Sequence, residues 1–103
     1  MKIDVQALPI KNNPVENRFE VELEGKRGEI VYRKEGSTYI MVHTEVPREF
    51  GGQGVAEHLV HGALEQIKAA NETVVPVCPF VRAYIRRHPE YQPLVVHGPT
   101  MRP

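Results

Sequence analysis

The chain has 103 residues, 41% of them hydrophobic and 25% charged, and 13 Lys or Arg balance 13 Asp or Glu at a formal net charge of zero. This length accommodates one small domain with a single core, and the missing basic excess disfavours nucleic acid as a partner. No apolar run is long enough to span a membrane, the start does not resemble a signal peptide, and the single cysteine, Cys78, excludes an intrachain disulfide, so we expect a cytoplasmic protein.

The first part of the sequence predicts two strands. Residues 1–14 show little periodicity, and residues 11–14, Lys-Asn-Asn-Pro, are typical of a turn. Apolar and charged residues then alternate over residues 18–24, which predicts a strand with one wet face. Residues 25–28 predict a hairpin turn, and residues 29–33 predict the second strand.

A third strand is predicted after a tight turn at residues 35–37. It covers residues 38–46 and is apolar around Ile40, Met41 and Val42. Because a strand without clean alternation is usually covered on both sides, we expect both of its faces to be buried.

A helix follows the third strand. It begins inside residues 46–56 and should fade near Asn71, because its apolar residues recur at helical spacing. Residues 73–78 predict a short strand, in which Pro76 cannot donate to a ladder. The third and fourth strands flank the helix and should therefore be parallel.

The last part of the chain predicts a second helix over residues 80–88, with Pro79 at its first turn and Pro89 after its end. Residues 94–96 predict a last strand, and residues 97–103 a loose tail. Together the elements predict an α/β (α+β) fold, with an antiparallel three-strand meander, a crossover helix, a parallel strand and a final helix. They form one domain over the whole chain, with a core of about residues 15–96.

The turn between the third strand and the first helix carries three glycines within four positions, Gly51, Gly52 and Gly54. A backbone that curls at a helix start points several N–H groups the same way, at the positive end of the helix dipole, and therefore suits a phosphate. The alternative is a plain strand-to-helix turn that needs glycine for its backbone.

The residues around the last glycine exclude the two commonest nucleotide loops. Val55 and Ala56 stand where a Walker loop requires Lys and Ser or Thr, and Glu57 takes the third glycine position of the dinucleotide pattern. The turn therefore suits a pyrophosphate held mainly by backbone N–H groups, with added charge from Arg48.

Residues 52–56, Gly-Gln-Gly-Val-Ala, follow a strand that ends Glu-Val-Pro and resemble the acetyl-CoA loop of the GNAT superfamily of N-acetyltransferases. That motif has a Gln or Arg, two variable residues, Gly, one variable residue, then Gly or Ala. Gly52 and Gly54 match its last two fixed positions, and Glu49 departs from the first. Residues 75–91 resemble a short GNAT-like family of small acetyltransferases, so that the likeness covers about residues 15–96.

This resemblance implies a GNAT-like fold, acetyl-CoA as the ligand, and transfer of its acetyl group to an amine. It also implies that the two parallel strands splay apart and that the pantetheine arm pairs with the free edge of the first. The helical region that usually follows the first strand and helps bind the acceptor is missing, which leaves the acceptor weakly specified. Expected contacts to acetyl-CoA come from Val46, Arg48, Gly51, Gly52, Gln53, Gly54, Val55, Ala56 and Phe80.

Acetyl transfer to an amine needs a base for the amine, a donor for the oxyanion and a proton donor for the departing thiolate. The backbone N–H near Val46 is the candidate oxyanion donor. His43 and Glu45 share a strand face close to the loop and are the candidate bases. For these two, ordinary packing or solvation at a strand end is the alternative.

Tyr84 and Cys78 complete the catalytic candidates. Tyr84 lies on the apolar face of the last helix, where the resemblance implies the tyrosine that protonates the thiolate; the alternative is a core aromatic. Cys78 ends the fourth strand directly before a helix N-terminus, which favours a thiolate able to take the acetyl group and pass it on. The alternative is a small buried residue that only lines the site.

Two other sets of side chains are interpreted as solvated. His58 and His61 lie three apart on the first helix, and no Cys or carboxylate completes a metal site with them. Arg82, Arg86 and Arg87 form a basic stripe on the last helix, and its alternative is contact with the adenosine phosphate of CoA.

The leading functional hypothesis is an N-acetyltransferase. Its rivals are a non-catalytic CoA-binding or protein-interaction module on a GNAT scaffold, and an unrelated nucleotide-binding regulator. The expected partners are acetyl-CoA and an amine acceptor, without nucleic acid, membrane or metal, and the chain is expected to be a monomer or a weak dimer.

Overall fold

The computed structural model describes residues 4–96, so the tail predicted at residues 97–103 lies outside the described residues. The strands are β1 (Lys11–Asn13), β2 (Arg18–Leu23), β3 (Lys26–Glu35), β4 (Thr38–Glu45) and β5 (Thr73–Pro76). The helices are α1 (Val55–Ala69) and α2 (Pro79–Arg87), and short 3-10 segments cover Val5–Ala7, Arg48–Phe50 and Pro89–Leu94. No helix within residues 4–96 is long and apolar enough to cross a membrane.

The strands form one sheet in the order β1-β2-β3-β4-β5. The first four strands are antiparallel neighbours, and β4 pairs with β5 in parallel. The predicted α/β fold, with a meander, a crossover helix and a parallel strand, is therefore confirmed. The meander has four strands, one more than predicted.

The additional strand is β1, so the turn predicted at residues 11–14 is wrong. Lys11–Asn13 pairs with the start of β2. The Asn12 amide donates to the Tyr39 hydroxyl at 3.1 Å and accepts from the Tyr32 hydroxyl at 2.5 Å. These bonds come from strands more than 19 residues away along the chain, and they stabilise an extended backbone that local propensity disfavours.

Two further predictions need correction. The hairpin turn consists of Glu24 and Gly25, whose positive φ angles of 49° and 79° suit a two-residue turn, and residues 26–28 already belong to β3. The strand predicted at residues 94–96 is reduced to a single parallel bridge between Val74 and Val95. The preceding 3-10 segment contains Pro93, which has no N–H to give to a ladder.

Both helices pack on one face of the sheet. Their buried residues join those of the strands in a single hydrophobic core. The opposite face, called the open face below, carries half-buried and exposed side chains. Its central members are Glu29, Val31, Arg33, Ile40, His43 and Glu45. The prediction that β4 is covered on both sides is therefore wrong, because no element within residues 4–96 replaces the missing helical layer.

A β-bulge in β4 changes which residues face the core. Tyr32 lies opposite Met41 and Val31 lies opposite His43, so Val42 is an extra residue on β4. Thr44 therefore lies on the core side of the sheet, and His43 on the open face. Parallel pairing with β5 ends at Met41 and Pro76, and beyond it the Cys78 N–H donates a backbone hydrogen bond to the Met41 carbonyl at 2.8 Å.

The segment before β1 packs along α1. The His58 ring nitrogen Nε2 donates to the Leu8 carbonyl at 2.8 Å, and the Gln66 amide donates to the Ile10 carbonyl at 2.6 Å. Gly62 lies against the Ile10 side chain so closely that a methyl group there would come within 2.7 Å of the Ile10 Cβ. Glycine at this position allows the close approach.

Candidate functional site

A groove of about 860 Å³ opens between the glycine-rich turn, the N-terminus of α1 and one side of α2. The sequence explains its position, because β4 and β5 separate beyond Met41 and the turn follows β4 directly. The lining residues are Gln6, Val46, Pro47, Arg48, Phe50, Gly51, Gly52, Gly54, Val55, Ala56, Glu57, His58, His61, Phe80, Tyr84 and His88. Eight of the nine residues expected to contact acetyl-CoA are therefore brought together; Gln53 is exposed and outside the lining.

The turn holds two glycines in left-handed backbone conformations. The φ angle is 78° at Gly52 and 80° at Gly54, and Gly54 is the N-cap of α1. A Cβ built on either residue would meet nothing within 4 Å, so the backbone here borders open space. The first N–H groups of α1 point toward its N-terminus and have no partners within the helix. The turn therefore fits a phosphate group that approaches the backbone closely.

Two contacts fix the start of the turn. Phe50 is buried and anchors the short 3-10 segment to the core. Glu49, the residue that departs from the GNAT motif, forms an ion pair with Lys26 of the β2–β3 hairpin and does not line the groove. The hydrogen bond from Lys26 lowers the pKa of Glu49. The lining therefore keeps the positive charge of Arg48 without a carboxylate at the Glu49 position.

Tyr84 brings a hydroxyl to the α2 side of the groove. Its side chain is buried and stacks on the ring of His88, with the ring centroids 4.0 Å apart. Burial raises the pKa of Tyr84, and the nearby carboxylate of Glu90 adds to this effect. The Tyr84 hydroxyl lies 3.5 Å from Nδ1 of His61. Tyr84 is therefore a protonated phenol at the edge of the groove at neutral pH.

A side-chain network behind Tyr84 was not predicted from the sequence. The Tyr91 hydroxyl donates to Oε2 of Glu65 at 2.6 Å and lies 3.0 Å from Nδ1 of His61. Burial, together with the bond to Glu65, raises the pKa of Tyr91. His61 and Glu65 are one helical turn apart on α1, and that spacing is the one sequence signal of a shared face.

The prediction that His58 and His61 are both solvated needs correction. His61 is exposed but hydrogen-bonded in the groove, and His58 is half-buried. The Nδ1 atom of His58 is buried, and none of the described residues gives it a hydrogen-bond partner. Within residues 4–96, no group of three or more His, Cys, Asp or Glu side chains is arranged to hold a metal ion.

Cys78 lies behind the groove, at the point where β4 and β5 separate. It is the N-cap of α2 and only 4% exposed, and its sulfur lies 3.3 Å from the Thr44 hydroxyl. Both side chains face the core side of the sheet, because the bulge turns Thr44 inward. Cys78 is not part of the groove lining.

His43 and Glu45 lie on the open face and not in the groove. Both side chains are largely exposed, at 61% and 70%, and Nε2 of His43 lies 3.3 Å from Oε1 of Glu45. The structure thus separates the two candidate bases from Tyr84, which lies on the helical face of the same sheet.

The basic stripe of α2 also lies apart from the groove. Arg82 and Arg86 line a second, smaller groove of about 370 Å³ beside Val75 and Val95, at the β5 edge of the sheet. Arg82 donates to the Val77 carbonyl at 3.3 Å. This placement favours the interpretation of Arg82 and Arg86 as surface residues over contact with a ligand in the larger groove.

Comparison with known proteins gives a consistent family. A family model described as GCN5-related N-acetyl-transferase matches residues 18–94. The chain is 27% identical to Protein NATD1 of Xenopus tropicalis over 86 residues, which cover 81% of this chain and 79% of that protein. It is 28% identical to Protein NATD1 of Homo sapiens over 89 residues, with coverages of 82% and 79%.

A solved structure is similar as well. The NMR solution structure of a GCN5-like protein from Staphylococcus aureus superposes with a TM-score of 0.66 at 29% sequence identity. The match covers 87% of this chain and 89% of the other. The two proteins therefore share the same overall fold.

Proposed function

The chain belongs to the GCN5-related N-acetyltransferase family, and we propose that it binds acetyl-CoA in the groove and transfers the acetyl group to an amine. The observation that carries the proposal is the joint placement of a left-handed glycine turn, a helix N-terminus and a protonated tyrosine around one groove. Backbone N–H groups of Val55 and Ala56 and the side chain of Arg48 would hold the pyrophosphate.

Acetyl-CoA, when bound, supplies an activated acetyl thioester. Tyr84 is suited to give a proton to the departing sulfur, because its raised pKa keeps the phenol protonated at neutral pH. Val46 comes directly after β4 and lines the groove, and its backbone N–H is the proposed donor to the acetyl oxygen.

His43 and Glu45 are the proposed acceptor-side bases. They lie on the open face, so the amine would approach the gap between β4 and β5 from the side opposite to the groove. Nε2 of His43 lies 3.3 Å from Oε1 of Glu45, a contact that would orient the imidazole toward the amine. Within residues 4–96 no element covers this side, which would leave it accessible to an acceptor.

Cys78 has two proposed roles. As an N-cap residue it sits at the positive end of α2, which would assist a thiolate that takes the acetyl group and passes it to the amine. Its burial against Thr44 favours the other role, a small residue that closes the end of the gap between the strands.

An acetyl-transfer assay tests the proposal. The purified protein is incubated with acetyl-CoA and a panel of amines, namely spermidine, free lysine, a lysine peptide and a peptide with a free N-terminus. Release of CoA and acetylation of the amine are followed by thiol titration and mass spectrometry. We expect CoA release that depends on the amine and is slower in Tyr84→Phe. Intact-mass analysis after incubation with acetyl-CoA decides the role of Cys78: an acetyl adduct in the wild type that Cys78→Ala lacks would support the covalent role, and no adduct together with unchanged turnover in Cys78→Ala would exclude it. Acetyl-CoA hydrolysis without an acetylated amine would contradict transfer.

A second function, a CoA-binding module without turnover, is favoured by one observation. Within residues 4–96 no element covers the open face, so the structure lacks an enclosed acceptor site. Saturable binding of acetyl-CoA together with no transfer to any amine would establish this function. Binding of ATP but not of CoA would contradict both.

We also propose a cytoplasmic location, from the single reduced cysteine, and a monomer or weak dimer as the oligomeric state. Fractionation and light scattering test these two points.

A further inference from the structure

We infer that His61 is a positioning residue whose tautomer, fixed by Tyr91 and Glu65, leaves the hydroxyl proton of Tyr84 free to point into the groove. The inference rests on the proposed function, because it gives that free proton a use. It follows from the hydrogen-bonding capacity of four side chains, His61 and Tyr84 in the groove lining and Glu65 and Tyr91 next to them.

The first step concerns the hydrogen bond between Tyr91 and Glu65. A carboxylate can only accept, so the Tyr91 hydroxyl donates its single proton to Glu65 at 2.6 Å. The Tyr91 oxygen can then only accept at its second contact, which is Nδ1 of His61 at 3.0 Å.

The second step fixes the imidazole. Because the Tyr91 oxygen accepts, Nδ1 of His61 must carry a proton, and in the neutral ring Nε2 is then the acceptor. In water a neutral imidazole bears its proton mainly on Nε2, so the network selects the less common tautomer.

The third step concerns Tyr84. Its hydroxyl lies 3.5 Å from the same Nδ1, which is already protonated and cannot accept from it. The Tyr84 oxygen can only share the Nδ1–H, and its own proton has no acceptor in this network. The opposite tautomer would accept the Tyr84 proton and turn it away from the groove. After burial, the charges of Glu90, Glu57 and Glu65 raise the pKa of Tyr84 and that of Arg87 lowers it, and His88 stacks on its ring.

Nitrogen NMR of the histidine side chains tests the inference. Long-range proton–nitrogen spectra are recorded at mildly alkaline pH, above the ordinary histidine pKa of about 6.5, and His61 is assigned with a His61→Gln variant. We expect the Nδ1–H tautomer in the wild type. Tyr91→Phe removes the acceptor, and Glu65→Ala frees the Tyr91 proton to turn toward Nδ1, so both variants should populate the Nε2–H tautomer. Glu65 is exposed, and its variant should fold even if Tyr91→Phe does not.

Tyr32→Phe is the matched control. Tyr32 is buried like Tyr91, and its hydroxyl donates to Asn12 and not to the His61 network. The variant therefore loses one buried tyrosine hydrogen bond and should leave the His61 tautomer unchanged. In the transfer assay Tyr91→Phe should lower kcat about tenfold without changing the KM for acetyl-CoA, and Tyr32→Phe should change neither.

The possible failures are distinguishable. An Nε2–H tautomer in the wild type would overturn the inference whatever the activity. A Tyr91→Phe variant with wild-type kcat, beside a slow Tyr84→Phe variant, would overturn it as well and leave the proposed function standing. Absence of transfer in the wild type would refute the proposed function, and the tautomer would still decide whether His61 keeps the Tyr84 proton free.

Discussion

Replacing Gly54 by alanine should weaken acetyl-CoA binding, whereas the same replacement at Gly36 should not. The two glycines have left-handed φ angles of 80° and 60°, and at each a Cβ would meet nothing within 4 Å. An alanine in this region of backbone space costs about 1–2 kcal/mol. Both variants should therefore lose similar stability, with melting temperatures lower by roughly 4–8 °C for each kcal/mol.

The two variants differ in where the added methyl group would lie. At Gly54 the methyl group would enter the groove, where the backbone must approach the phosphates. At Gly36 it would enter the solvent around the β3–β4 turn. We expect calorimetry with acetyl-CoA to give a dissociation constant raised at least about tenfold for Gly54→Ala, which corresponds to about 1.4 kcal/mol, and unchanged for Gly36→Ala. Equal affinity of Gly54→Ala and the wild type, with both variants folded, would refute the backbone cradle.

Three further predictions follow from single contacts. Gly62→Ala should lower the free energy of unfolding by up to about 2 kcal/mol in denaturant experiments, because crowding against Ile10 outweighs the gain in helix propensity of about 1 kcal/mol. In an Ile10→Ala background the same replacement should stabilise the protein, and a stabilising Gly62→Ala single variant would contradict the close packing. Tyr84→Phe should lower kcat roughly 100-fold with the KM for acetyl-CoA nearly unchanged, and a wild-type rate in steady-state assays would remove Tyr84 as the acid. The hydrogen bond from Arg18 lowers the pKa of Glu20 in the folded state, so the stability that Glu20 adds is present above its ordinary pKa of 4.5 and is lost as the pH falls below that value. The difference in unfolding free energy between the wild type and Glu20→Gln should therefore shrink in acid. A difference that grows in acid would contradict the pairing of Arg18 with Glu20.

Much of the fold is predictable because local patterns and burial agree. Alternating apolar residues in β2, helical spacing in α1 and Pro79 at the first turn of α2 each specify an element on their own. The positive φ at Asn71 also agrees with the predicted end of the first helix.

The failures have a common physical cause, which is tertiary contact between distant residues. Asn12 is extended because two tyrosine hydroxyls from other strands bond to its amide. The bulge at Val42 reverses the faces of His43 and Thr44, and no local pattern announces an inserted residue.

Contacts between distant residues also limit the prediction of the site. The glycine turn is contiguous in the chain and is therefore predictable from the sequence. The network of His61, Glu65, Tyr84 and Tyr91 joins α1 to α2 and to the segment after it, across 23 to 30 residues. Its hydrogen bonds exist only once the two helices pack on the same face of the sheet.

The central claim is that acetyl-CoA binds in the groove between the glycine turn and α2. Titration of isotope-labelled protein with acetyl-CoA, followed by backbone proton–nitrogen spectra, tests it most directly, with ATP as the competing ligand. We expect saturable shifts centred on residues 46–58, His61 and the groove side of α2 with the residue after it, at Phe80, Tyr84 and His88, with Gly36 unaffected. Shifts centred on β1 and β2, or saturable shifts with ATP and none with acetyl-CoA, would contradict it.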